Sequence, residues 1–114
     1  MKSSELKYPE FTASQLTSFA LELMRLQNYR VRRVNNVAVY KKRKNQVEPG
    51  WPDIQGYDLN GKAVLCEVKT LNDTMSEPQF DRLEDCQICG GLAFVCLQIK
   101  NNAELITFKE YQLL

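Results

Sequence analysis

The chain has 114 residues, 44% of them apolar, and carries 15 basic against 14 acidic side chains for a net charge of +1. That length supplies one packed core without a surplus for a second, so a single domain over residues 1–114 is expected. The chain has no histidine, which excludes an imidazole acid, base or metal ligand.

The opening stretch MKSSELKYPEF lacks the apolar core of a signal peptide. No run approaches the roughly 20 apolar residues of a membrane helix. A cytoplasmic protein with reduced thiols and no membrane partner is therefore expected. The near-neutral total hides an uneven distribution. Eight basic residues (Arg25, Arg30, Arg32, Arg33, Lys41, Lys42, Arg43 and Lys44) occur with no acid between them. Residues 73–85 hold five acids and one base. Such a chain can turn a positive face to a polyanion, or carry two solvated faces.

In chain order, residues 12–29 have a helical pattern, with Leu16, Phe19, Ala20 and Leu23 on one stripe. Thr12 or Ser14 is placed to cap its start, and Asn28 to end it in a left-handed turn. Two β-rich runs, 30–34 and 37–40, flank Asn35-Asn36 and predict a hairpin. Its far arm runs into the charged segment KKRKN. The breaker-rich EPGWPD leads into a strand at 53–57. A second strand, 63–69, follows through Asn60-Gly61, a strong hairpin signal. Residues 76–89 predict a helix with Phe80, Leu83 and Cys86 on one side, closed by Gly90-Gly91. The apolar run 92–99 has the pattern of a strand covered on both faces. A last strand is expected at 104–108, and the tail 109–114 is ambiguous. The order α-β-β-β-β-α-β-β predicts an α/β fold with a mixed central sheet flanked by helices.

The strand AVLCEVK raises a chemical question. Side chains alternate across a strand, so Glu67 and Lys69 leave one face while Cys66 and Val68 enter the core. If Asn60-Gly61 closes the hairpin, the Pro-Asp end of the preceding strand brings Asp53 beside Glu67. Two carboxylates that close repel unless a cation lies between them. Hard oxygen ligands suit Mg²⁺ or Mn²⁺, which also hold phosphate oxygens. Lys69 adds a positive charge suited to holding water or neutralising charge on phosphorus. A bland alternative is a surface Glu67–Lys69 ion pair with an incidental Asp53.

Pro52-Asp53 followed by Glu67-Val68-Lys69 resembles the PD-(D/E)xK nuclease signature. More narrowly, PGWPDI…GKAVLCEVKT…SEPQFDRLEDCQICGGLAFV resembles the virus-type replication-repair nuclease (VRR-NUC) domain. The likeness covers residues 49–96. It implies a restriction-endonuclease-like core and a metal-dependent endonuclease acting on branched DNA, four-way junctions included, as a homodimer. It places Asp53, Glu67 and the Val68 carbonyl on the metal, makes Lys69 the catalytic lysine and puts Gln79 beside the site. Ser76 and Gln79 also form a capping-box pattern, which accounts for them without catalysis. The family usually carries a glutamate near the start of the first helix; here the position is Gln15, with Glu22 two turns on.

Under this reading Arg30, Arg32, Arg33, Lys41, Lys42, Arg43 and Lys44 contact the DNA backbone, which carries affinity without sequence information. The alternatives are a nuclease on flaps, ends or duplex, and a DNA-binding subunit with a vestigial site. Two further features have simpler accounts. Trp51 suits a base contact or packing of the loop that orients Asp53. Cys86-x-x-Cys89 has half a zinc site's spacing, but Cys66 and Cys96 lie in apolar strands, where free cysteine is ordinarily buried.

Overall fold

A hydrogen-bonded register runs through five strands in their sequence order, β1-β2-β3-β4-β5. The computed structural model describes residues 8–34 and 50–114. The expected Asn35-Asn36 turn, the arm at 37–40, and Lys41, Lys42, Arg43 and Lys44 lie outside the described residues.

Helix α1 spans Ala13–Leu26. Thr12 caps it through a reciprocal box with Gln15. Its end forms a Schellman motif: the Asn28 amide donates to the Arg25 carbonyl and the Tyr29 amide to Met24, both at 3.0 Å. Asn28 takes the left-handed conformation, φ 70°, as the sequence led us to expect. The buried ridge is Leu16, Ala20 and Met24, with Thr17 beside it. Phe19, expected in the stripe, is 37% exposed instead. An i, i+4, i+8 row seats the helix, and the unbranched Met24 fills the third position.

Strand β1, Arg30–Arg33, pairs antiparallel with β2, Ile54–Tyr57. β2 pairs antiparallel with β3, Ala63–Lys69. The link closes as a three-residue loop rather than a two-residue turn. The Asp58 amide donates to the Lys62 carbonyl (2.9 Å), and Gly61 sits at φ 82°. Asp58 Oδ1 accepts from the amides of Asn60 and Lys62, each at 2.8 Å. Gly61 therefore serves as the left-handed residue that re-aligns the strands.

Helix α2, Glu77–Ile88, crosses from β3 to the parallel strand β4, Leu92–Ile99. β5, Asn102–Thr107, returns antiparallel. The chain then enters a short helix, α3, Phe108–Gln112. The expected last strand thus stops one residue early. Thr107 and Glu110 form a third capping box that turns Phe108 into a helical position.

The fold is α/β, a five-stranded mixed sheet between helices. α1 covers one face, over Ile54, Val64, Cys66, Val68 and Cys96. On the other face Leu65, Ala93 and Val95 meet Leu83 and Cys86 of α2 and Phe108 of α3. Phe108 is fully buried, with its ring edge-on to Phe80 at 4.9 Å. Burial of such a side chain contributes about 1.5–3 kcal/mol. Among the described residues no helix is long and apolar enough to cross a membrane.

Candidate active site

The β2–β3 register positions the first two groups. Ile54 pairs with Cys66, so one step outward Asp53 stands opposite Glu67. Directly opposed residues share a face, and here it is the face that carries α2. Asp53 Oδ2 accepts from the Val68 amide at 3.4 Å. Its own carbonyl accepts from the Val34 amide at 2.8 Å, which ties the end of β1 to the site.

Glu67 is 2% exposed, and its Oε2 has no hydrogen-bond partner among the described residues. Burial first, and then the adjoining Asp53 through a shared hydrogen bond and its charge, push its carboxyl up from the ordinary 4.5 to about 9, while Lys69 and the Val68 amide oppose the rise. A buried carboxylate beside a second one is costly to ionise, and a cation between them relieves that cost.

Lys69 points to the same face as Glu67 and is 5% exposed. Its ammonium donates to the Thr74 carbonyl at 3.0 Å and to Gln79 Oε1 at 2.6 Å. Asp73 Oδ2 lies 3.8 Å away. These partners offset the desolvation of a buried cation. A turn supplies two of them: the Asp73 amide donates to the Thr70 carbonyl at 3.0 Å, folding the loop back over Lys69.

Gln79 belongs to two networks through one atom. Its Oε1 accepts from the Ser76 amide at 2.9 Å as well as from Lys69. Ser76 Oγ in return accepts from the Gln79 amide at 3.3 Å. The capping box that starts α2 is therefore also a contact to the lysine.

The loop before Asp53 is seated on the start of α2. Gly50 has φ +89°, and any Cβ there would run into the backbone of Pro78. Trp51 stays 41% exposed and holds the Arg82 guanidinium 3.9 Å above its ring. Its contact to α2 matches the loop-packing role.

Asp53, Glu67, Val68, Lys69, Ser76 and Gln79 thus come together at one end of β3. Gln15 does not join them. It is exposed, its Oε1 accepts from the Thr12 amide at 2.9 Å, and α1 lies on the opposite face of the sheet. Glu22 is also exposed on α1, in a groove with Ser18, Leu21, Arg25 and Leu26. Among the described residues no three His, Cys, Asp or Glu side chains converge as a metal-binding group. The cysteines are divided: Cys66 and Cys96 lie under α1, Cys86 is on the buried side of α2, and Cys89 is exposed. Arg30, Arg32 and Arg33 are exposed along β1.

Asp73 and the Thr74 carbonyl were not foreseen as partners of Lys69. The turn-forming Asn72-Asp73 pair, three and four residues past the lysine, was the available signal. Asn72 also donates to Glu10 Oε1 at 3.4 Å. No family model, curated protein or solved structure matches this chain.

Proposed function

We propose that this protein is a divalent-metal-dependent DNA endonuclease with a restriction-endonuclease-like core of the PD-(D/E)xK, virus-type replication-repair kind. The observation that carries the reading is the juxtaposition of Asp53 and Glu67, whose buried Oε2 has no hydrogen-bond partner among the described residues, with a buried lysine alongside. That donor set fits Mg²⁺ or Mn²⁺: two hard carboxylates with one oxygen unspent. Asp53, Glu67 and the Val68 carbonyl would hold the ion. When bound, it supplies a Lewis acid that polarises a phosphodiester and lowers the pKa of water.

The chain's own groups do the rest. Thr74 and Gln79 occupy two of the three ammonium donors of Lys69. Asp73 Oδ2 stays 3.8 Å off, so among the described residues the third N–H makes no hydrogen bond; it would meet a water or a phosphate oxygen, where its charge offsets the negative charge developing in hydrolysis. Water forms one P–O bond as another breaks, and the released proton passes to solvent. Arg30, Arg32 and Arg33, with Lys41, Lys42, Arg43 and Lys44, would hold the phosphate backbone. One site per chain and cutting of both strands of a branch call for a homodimer with two-fold symmetry. A four-way junction is the first substrate to try.

Two observations favour a second reading, a DNA-binding subunit with a vestigial site. Gln15 stands where a supporting acid is expected, and among the described residues no three acids converge as a metal-binding group. Incubating a labelled junction, a flap and a linear duplex with Mg²⁺ and then Mn²⁺ separates these readings. The nuclease cuts the junction, and Lys69→Met abolishes product. DNA retardation without product under either ion identifies the binding subunit. Preferential cutting of the flap or duplex moves the substrate assignment.

A further inference from the structure

A cavity of about 660 Å³ opens beside β1 and β2, lined by Arg25, Tyr29, Arg30, Arg32, Gln55 and Tyr57 among others, with no acid among the described residues that line it. Its volume falls within the roughly 300–1,000 Å³ of small-ligand sites. The strand register relates it to the candidate active site. Alternation along β2 places Asp53, Gln55 and Tyr57 on one face. Tyr57 pairs with Arg30 and Gln55 with Arg32, so both arginines share that face. Ile54 and Val31 point the other way, into the core under α1. A row of polar and aromatic side chains therefore leads from Asp53 along β2. Four residues at about 3.3 Å each separate Asp53 from Tyr57, roughly 13 Å or about two nucleotides of extended strand.

The lining has two chemistries. Arg30 and Arg32 are exposed guanidiniums two residues apart on β1, a fork suited to phosphate oxygens. Tyr57 is 57% exposed and offers a ring face. Paired bases in a duplex present no free π-face, whereas an unpaired base does. Resting on the nuclease reading above, we propose that this pocket takes one unpaired nucleotide of the DNA substrate. Its phosphate lies against Arg30 and Arg32 and its base against Tyr57, about two nucleotides from the cut. The feature recognised is then a nucleotide that has left the helix at the branch point, in a single-stranded arm or at the opened centre of a four-way junction.

The test measures binding by the full chain in EDTA, so that cleavage plays no part. Two labelled DNAs are compared by anisotropy: a blunt duplex, and the same duplex with a three-nucleotide single-stranded arm. The wild type binds the armed DNA about tenfold more tightly. Tyr57→Ala reduces that preference at least about fivefold, the low end of base–aromatic stacking, while duplex affinity stays within twofold; Tyr57→Phe keeps it. Arg30→Ala and Arg32→Ala each lower the salt slope on armed DNA by about 0.7, one single-strand phosphate contact. Wild-type preference in Tyr57→Ala, an unchanged slope in both arginine variants, or no DNA binding at all overturns the pocket. Preference intact in EDTA with no product in Mn²⁺ instead defeats the nuclease reading alone.

Discussion

Lys69 and Gln79 are joined by a 2.6 Å hydrogen bond from the ammonium to Oε1, although one ends a strand and the other lies in the first turn of the next helix. The same oxygen accepts the Ser76 amide. Helix capping and lysine placement are thus one interaction, and substitutions at Gln79 remove or restore its two halves together. Gln79→Ala removes both, and an Ala at this cap costs about 1–2 kcal/mol in urea unfolding. Gln79→Glu restores a capping-box acceptor and keeps stability within about 0.5 kcal/mol of wild type. Equal stability losses in the two variants would show that the side chain makes no cap.

Lys69→Met tests the ammonium at nearly constant volume. Under the nuclease reading, cleavage falls at least about 100-fold, the scale of a positioned charge or donor at a reacting phosphate. DNA affinity in EDTA stays within about threefold, because Lys69 is buried and not part of the basic strand. Undiminished single-turnover cleavage removes the lysine from the mechanism.

The pH dependence of stability follows from Glu67. Its carboxyl is raised from 4.5 to about 9 by burial first and by Asp53 second. Between those values the folded chain keeps a proton that the unfolded chain has released. Stability in EDTA therefore decreases as pH rises from about 5 toward 9, with a slope of at most about 1.4 kcal/mol per pH unit from this group. Glu67→Gln removes the slope and is more stable than wild type at pH 8. Added Mn²⁺ stabilises the wild type increasingly as pH rises, since the ion needs the ionised carboxylate. It leaves Glu67→Gln nearly unchanged. Parallel pH profiles for the two proteins in EDTA would mean that Glu67 does not titrate across this range.

Local signals carried most of the fold. The Asn28 helix stop, the hairpin around Gly61 and the α2 boundaries all rest on contacts within five residues, which a sequence displays directly. From the hairpin alone, Asp53 could be placed opposite Glu67. What escaped depends on partners distant in the chain. Phe108 reads as the end of a strand until its ring meets Phe80. Phe19 fits the apolar stripe, yet α1 seats itself through Met24 instead. The tie between Lys69 and Thr74 needs a turn that only the folded loop defines. That α1 opens with Gln15 rather than an acid was visible, but not that the helix lies across the sheet from Glu67.

Two glycines separate backbone strain from steric fit in positioning Asp53. Gly50 and Gly61 both have positive φ, +89° and +82°. A Cβ on Gly61 meets nothing within 4 Å, whereas on Gly50 it strikes the Pro78 backbone at the start of α2. Gly61→Ala therefore costs only the left-handed penalty, roughly 1 kcal/mol, and leaves the register and the site intact. Gly50→Ala adds a clash that neither backbone can relieve cheaply. The loop must lift from α2, carrying Pro52 and Asp53 with it. We expect a loss of about 2–3 kcal/mol and a weakened Mn²⁺-dependent stabilisation even at temperatures where the variant is fully folded. Gly61→Ala keeps that stabilisation. If both variants respond to Mn²⁺ like the wild type, the loop's seat on α2 does not set the position of Asp53.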